Sequence, residues 1–408
     1  MRVPEHQKAA VKRHPPLAFP DRRYVTTVRR FLVVLRLWVR HGRYAELILW
    51  GLLGPPFYVI TRIMMWLDTV IYPNLRRVEI SRPVFIIGHP RSGTTFLQKH
   101  LFEVDDVSMF RAWELFFPSL LQKKLARPLF VFLRRLGLRQ FFGAETGHEV
   151  VIDAVEEDEA ILLHRMDTET LHYLCPWLMT DDDLADYGFR LGWLSPRITR
   201  RTIRFYHECL KRQLLHTGHG HVVAKSTSLV FRLRELLDEF PDARIIYMWR
   251  DPKDSILSYL TLHDRHVGRL LTRSQADTYF RRKYEWGVAR YESFEEAKEL
   301  IPAEQLLVVP FRQMVASPEE TIRLAAEFGK LHEAGADLNL KVRRRQKKHR
   351  NASFNRFGLR AEKVEADLDT LKRRHARRLR EHQAQILRYN EETEEKHEEG
   401  RGTGEPAT

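Results

Sequence analysis

The chain has 408 residues, with 68 Lys and Arg against 54 Asp and Glu, giving a formal charge of +14. That length allows a large buried core and even two domains, while the two cysteines, Cys175 and Cys209, exclude a disulfide framework and fit a reducing cytoplasm. The positive excess suits nucleic acid, an anionic membrane or small anions, but no zinc spacing or aromatic RNA-binding pattern accompanies it, so nucleic acid is set aside.

Residues 1–29 are basic, rich in proline and histidine, and predicted to form a mobile arm. They do not read as a secretory signal, because the apolar stretch starts too late and lacks a small-residue cleavage site. Residues 30–80 turn apolar, through FLVVLRLWV, LILWGLLGPPFYVI and IMMWLDTVIY, and are predicted as apolar or amphipathic helices. The uncharged run from Leu47 to Thr61 has 15 residues, interrupted by Gly54-Pro55-Pro56, against about 20 for a membrane span. Arg36, Arg40, Arg43 and Arg62, with Trp38, Trp50 and Trp66, suit a membrane interface. Packing on the core of the chain and a true span are the other two readings.

Val84 to Ile87 is a continuous apolar run, the pattern of a parallel strand covered on both faces. It enters GHPRSGTT, where Gly88, Gly93, Thr94 and Thr95 keep the spacing of the phosphate loop G-x-x-x-x-G-K-[ST]. Thr94 stands at the lysine position, and a cation appears three residues earlier as Arg91. Backbone amides of such a loop, with the dipole of the following helix, cradle an anion. The missing lysine argues against ordinary nucleoside-triphosphate hydrolysis. From Thr94 a helix is predicted, with Phe96, Leu97 and Leu101 inward. Residues 111–212 form a long insertion with aromatic clusters and two acidic runs, Glu156–Glu159 and Asp181–Asp183. An acceptor pocket fits there, although such runs also serve as solvated helix faces.

Val222 to Ala224 is predicted as a strand ending in Lys225-Ser226, followed by Leu229, Leu233, Leu236, Leu237 and Phe240 at helical spacing. A further strand, Ile245 to Trp249, ends at Arg250. Asp251 is a good N-cap and Pro252 suits the first helical turn. Arg250 and Ser258 lie eight residues apart, so strand end and helix can converge on one anion; Arg250 can also pair with Asp251 or Asp254. Leu306 to Val309 and Pro318 to Phe328 add a strand and a helix. The alternation predicts an α/β fold, a P-loop-type doubly wound parallel sheet flanked by helices, with ligands at the carboxyl ends of the strands. Beyond the basic run KVRRRQKKHR and NASFNRFGL, residues 361–408 read as a charged C-terminal helix, anchored by Leu368, Leu371 and Leu379, that frays into a disordered tail.

Taken together, PRSGTT and RDPKDSILS resemble the PAPS-dependent sulfotransferases, in the bacterial branch similar to tyrosine-protein sulfotransferases; the resemblance covers residues 81–360. It implies that Pro90, Arg91, Ser92, Gly93, Thr94 and Thr95 hold the 5′-phosphosulfate of 3′-phosphoadenosine-5′-phosphosulfate (PAPS), and that Arg250 and Ser258 bind its 3′-phosphate. Phe354, Phe357, Gly358 and Leu359 match a segment that closes the cofactor site in relatives, with Arg345 and Lys348 as looser phosphate contacts. The implied catalytic groups are Arg91 as the cation, Lys225 reaching the transferred group, and Glu114 in RAWELFFP as the base; His148, His164 and the Glu156–Glu159 run are the alternatives for the base. Apolar neighbours of Glu114 are expected to raise its pKa. The chain departs from relatives at Thr227 and Leu229, where they follow Lys-Ser with proline and then histidine. Sulfuryl transfer of this kind needs no metal, and the implied acceptor is a hydroxyl or amine of a small molecule, lipid, glycan or tyrosine. Location is expected to be cytoplasmic, with peripheral membrane attachment open. The rival readings are a P-loop kinase or NTPase and a non-catalytic basic membrane-surface scaffold.

Overall fold

The computed structural model describes residues 27–138, 140–142, 150–180, 196–331, 353–373 and 375. The expectations on most of the basic arm, His148, Asp181–Asp183, Arg345, Lys348, Leu379 and the tail lie outside those residues.

Apolar runs predicted as strands are strands. β1 (Val84–Gly88), β2 (Val107–Ser108), β5 (His221–Lys225), β6 (Arg244–Trp249) and β7 (Leu306–Pro310) form one sheet, in the order β2-β5-β1-β6-β7. Every pairing in it is parallel. β3 (Gln140–Phe142) and β4 (Val150–Val151) make a separate antiparallel pair. Alternation along β1 sorts its side chains into two layers, as the pleat requires. Phe85 and Ile87 join a core with Tyr206, Leu210 and Phe240; Val84 and Ile86 join another with Leu97, Leu101 and Ile322. Helices α3 (Thr94–Leu101), α5 (Pro196–Thr217), α6 (Leu233–Glu239), α7 (Pro252–Val267), α8 (Arg273–Ala297) and α9 (Pro318–Gly329) surround the sheet.

Two long helices precede β1. α1 (Thr27–Arg40) and α2 (Tyr44–Ile71) meet at a tight turn where Gly42 takes φ +67°, the left-handed region that glycine enters without strain. Gly54-Pro55-Pro56 does not break α2; both prolines sit inside one continuous helix of 28 residues. Its C-terminal end is fixed by the buried Asp68, which accepts from the amides of Leu120 and Leu121 at the start of α4 (Leu120–Arg135) and pairs with Arg212 at 3.0 Å. At the other end of the chain, Phe354, Phe357, Val364, Leu368 and Leu371 pack into a third core on α7 and α8.

Candidate active site

The cradle is built by the exit from β1. Gly88 takes φ +148°, and a Cβ there would stand 2.6 Å from the Met248 carbonyl of the neighbouring strand. Gly93 takes φ +98° and opens α3; a Cβ on it would collide with Met314. Arg91 also has positive φ, +73°. Only glycine satisfies the first two positions at low cost, so the motif is written by backbone geometry as much as by chemistry.

The second anion segment arrives from β6. Asp251 caps α7 by accepting from the Lys253 amide at 2.8 Å, and Pro252 fills the first turn. Arg250 Nη1 donates to the Arg91 carbonyl at 2.7 Å and lies over the Phe311 ring, rather than turning to its own Asp251 or Asp254. Arg91 Nε in turn donates to Ser258 Oγ at 3.3 Å. The two motifs, separated by more than 150 residues of sequence, therefore meet in one place. Burial, and after it the adjacent Arg250, lower the Arg91 pKa; an anion between the two guanidinium groups relieves that crowding. Ser92 Oγ and Arg250 Nε are buried without a hydrogen-bond partner. Orphaned donors of this kind cost free energy unless a ligand or water satisfies them. The set fits a phosphorylated and sulfated nucleotide.

On the other flank, Lys225 at the end of β5 donates to Thr95 Oγ1 at 3.1 Å and to Glu157 Oε2 at 2.8 Å. Glu157 also accepts from the Thr227 amide at 2.9 Å. Burial pushes the Glu157 carboxyl up, but Lys225 and these hydrogen bonds prevail and hold it down at about 2. The acidic run is thus not a solvated face. Asp158 and Glu159 are buried behind it, Asp158 accepting from Tyr206 Oη at 2.5 Å and Glu159 from Ser226 Oγ at 2.8 Å. Burial raises Asp158 to about 7. Tyr173 stands among the charges of Glu169, Glu157, Arg290 and Arg91, and burial raises its phenol.

Glu114 has a different set of partners. Its carboxylate accepts from the Arg111 amide at 2.8 Å and from Gln213 Nε2 at 2.9 Å, and His216 Nε2 approaches to 3.3 Å. These tie the turn Ala112–Phe116 to α5. The expected rise in its pKa is corrected: burial does push upward, but His216, Lys123 and the Arg111 amide outweigh it and the pKa falls. His164 is half-buried, its pKa lowered to about 4 by desolvation, with Nε2 3.2 Å from the Phe116 carbonyl oxygen. Lys225 was singled out in the sequence, whereas Glu157, named there only within its acidic run, and Tyr173 were not. Glu157 lay in a run whose charge density resembled a surface, and Tyr173 follows no motif. Among the described residues, no group of three His, Cys, Asp or Glu side chains could hold a metal ion.

A family model described as "Sulfotransferase family" matches residues 83–332. Two curated relatives, omega-hydroxy-beta-dihydromenaquinone-9 sulfotransferase Stf3 of Mycobacterium bovis and of Mycobacterium tuberculosis, are each 24% identical over 302 residues, covering 72% of this chain and 74% of theirs. Among solved structures, sulfotransferase STF1 of Mycobacterium tuberculosis superposes with a TM-score of 0.62 at 17% identity, over 84% of this chain and 91% of that one. Sulfotransferase STF9 of Mycobacterium avium gives 0.59 at 18% identity, over 76% and 81%. These last two likenesses speak for the fold.

Proposed function

The chain belongs to the sulfotransferase family, and on that premise we propose that it moves a sulfuryl group from PAPS to the hydroxyl of a lipid or similarly apolar small molecule. The observation that carries this reading is the convergence of Arg91, Arg250 and Ser258 beside the unpartnered Ser92 hydroxyl. Neither a kinase nor a scaffold accounts for that set, and family membership removes both rivals.

When bound, the donor supplies the sulfuryl group, whose S–O bond to phosphate breaks as a bond to the acceptor oxygen forms. Arg250 and Ser258 hold the 3′-phosphate, and the amides of Gly93 to Thr95 face the 5′ end. Arg91 stabilises charge growing on the leaving oxygen, a role suited to a preorganised cation in a loose transition state. Lys225 exchanges its Glu157 partner for the oxygens being transferred. Glu157, released from Lys225, regains basicity and takes the acceptor's hydroxyl proton. Glu114 orients the turn Ala112–Phe116 against α5.

The apolar acceptor is supported by the route away from Glu157. The 3-10 helix Asp158–Arg165 begins beside that residue and brings His164 against Phe57 of α2, ring centroids 5.9 Å apart. At 8 residues it is about 16 Å long, so an apolar helix lies one short element from the chemistry. The two Mycobacterium relatives are themselves named for an omega-hydroxylated dihydromenaquinone. The two free, buried cysteines suit the cytoplasm.

The test is incubation of the purified chain with PAPS and panels of hydroxylated lipids, glycans and tyrosine peptides, read by mass spectrometry. Sulfated lipid is the expected product. Sulfation of glycans or peptides alone would overturn the acceptor class, and failure to form the 3′,5′-bisphosphate with any acceptor would overturn the donor.

A further inference from the structure

α2 packs on the protein through one stripe. A Cβ at Gly54 would come within 3.3 Å of Phe31, Phe57 meets Phe117 edge-on, and Thr61, Met65 and Asp68 are buried. These positions advance by three, four, four and three residues, one face of a helix held down from its middle to its C-terminal end. The opposite face carries Ile48, Leu52, Val59, Ile63, Trp66 and Val70, all exposed, Trp66 by 64%. α4 packs against α2 through Gln122, which donates to Thr61 at 2.8 Å, and through the Asp68 cap. It too turns an apolar stripe outward: Leu125, Leu129, Phe132 and Leu136, with Leu125 70% exposed. Their spacing of four, three and four is again one helical face.

Charge on these helices has one sign wherever it is free. The acidic residues of α1, α2 and α4 are Glu46 and Asp68; Glu46 pairs with Arg43, and Asp68 is buried on Arg212. Arg36, Arg40, Arg62, Lys124, Arg127 and Arg135 are exposed around the apolar stripes. Contiguous exposed apolar surface rimmed by basic residues is the pattern of a helix lying in an anionic lipid interface.

We infer that α2 and α4 together form a monotopic docking surface for an anionic bilayer, with α2 lying in the membrane plane. α2 is long and apolar enough to cross a membrane, but a span would strip Thr61, Met65 and Asp68 from the partners that bury them. The surface needs neither donor nor acceptor, so its failure and that of the sulfuryl-transfer reading are separable.

The experiment is vesicle co-sedimentation of the full chain with neutral phosphatidylcholine and with phosphatidylcholine–phosphatidylglycerol vesicles. Binding should require the anionic lipid and fall with salt. Leu125→Glu combined with Leu129→Glu, both on the exposed α4 face, should lower vesicle binding at least tenfold. Affinity for adenosine 3′,5′-bisphosphate and the melting temperature should stay unchanged. An α4 variant that sediments like the parent overturns the proposal. So does a variant that only converts a dimer to a monomer in light scattering, which would assign the face to a second copy. Resistance of α2 to a carbonate wash would make it a span and overturn the in-plane arrangement.

Discussion

Arg91 Nε and Ser258 Oγ are 3.3 Å apart although 167 residues separate them in sequence. One comes from the loop after β1 and the other from the second turn of α7, so the contact links the carboxyl ends of β1 and β6 at the centre of the sheet. Ligands of doubly wound sheets bind at such ends, where helices diverge to either side. Arg250 closes the arrangement from below through the Arg91 carbonyl. A loop that depends on positive φ at residues 88, 91 and 93 is thus held by side chains as well as by its own turn.

Recognition of the 3′-phosphate is expected to reside in Arg250 and Ser258. Charge-assisted hydrogen bonds of this kind contribute about 1.5–3 kcal/mol each. Ser258→Ala and Arg250→Ala should each weaken adenosine 3′,5′-bisphosphate binding about tenfold or more by calorimetry. AMP, which lacks the 3′-phosphate, should bind the parent weakly and be nearly indifferent to either change. Equal affinity of the parent for AMP and the bisphosphate would remove these residues from the site.

Arg91 is expected to act on turnover more than on donor affinity. Charge on the leaving oxygen grows toward the transition state, and a cation matched to it lowers the barrier without tightening the ground state. Arg91→Ala should cut kcat by about a hundredfold or more, with bisphosphate affinity changed only a few-fold. Unchanged kcat would show that the guanidinium serves only to brace Ser258.

The sheet was legible because four of its five strands are apolar runs bounded by turn signals. β2 was not, since two residues have no periodicity to read; only pairing with β5 defines it. The two anion segments were legible because glycine, proline and capping residues carry local rules. Glu157 was not distinguished within its run because its meaning is non-local: it lies 68 residues from Lys225, and carboxylates in a charged run read as solvent-facing. The Glu114 pKa went the wrong way for the same reason. Its apolar sequence neighbours suggested desolvation alone, whereas His216 and Lys123 come from α5 and α4. The continuous path of α2 through Pro55 and Pro56 overrode the break that local rules favour.

Asp158 should make stability depend on pH near neutrality. Its folded pKa of about 7 lies above that of an unfolded aspartate, so the folded state holds a proton that the unfolded state has already lost. The stability it contributes is full below the unfolded aspartate value of about 4 and is lost progressively as pH rises from there through about 7, by at most about 1.4 kcal/mol per pH unit. Asp158→Asn, which keeps an acceptor for Tyr206, should flatten that slope in urea titrations across the range. A slope unchanged in the variant would show that Asp158 is ionised throughout.

The last prediction sets Glu157 against Glu114 for the acceptor proton. Glu157 touches Lys225, which touches Thr95 of the cradle; Glu114 touches Arg111, Gln213 and His216. Held at about 2 by Lys225, Glu157 is a weak base in the resting site. Once Lys225 turns to the transferred group, the largest downward influence on Glu157 is gone and burial pushes its pKa up toward a useful value. Glu157→Gln should therefore lower kcat by about a hundredfold while leaving bisphosphate binding intact. Lys225→Ala should lose turnover too, and combining it with Glu157→Gln should cost less than the two losses multiplied, because they act as a unit. Glu114→Gln retains an acceptor for the Arg111 amide and should chiefly lower the melting temperature. If Glu114→Gln abolished turnover in a protein of parental stability while Glu157→Gln kept full activity, the proton would pass to Glu114, and the Glu157–Lys225 pair would be a structural bridge beneath the cradle.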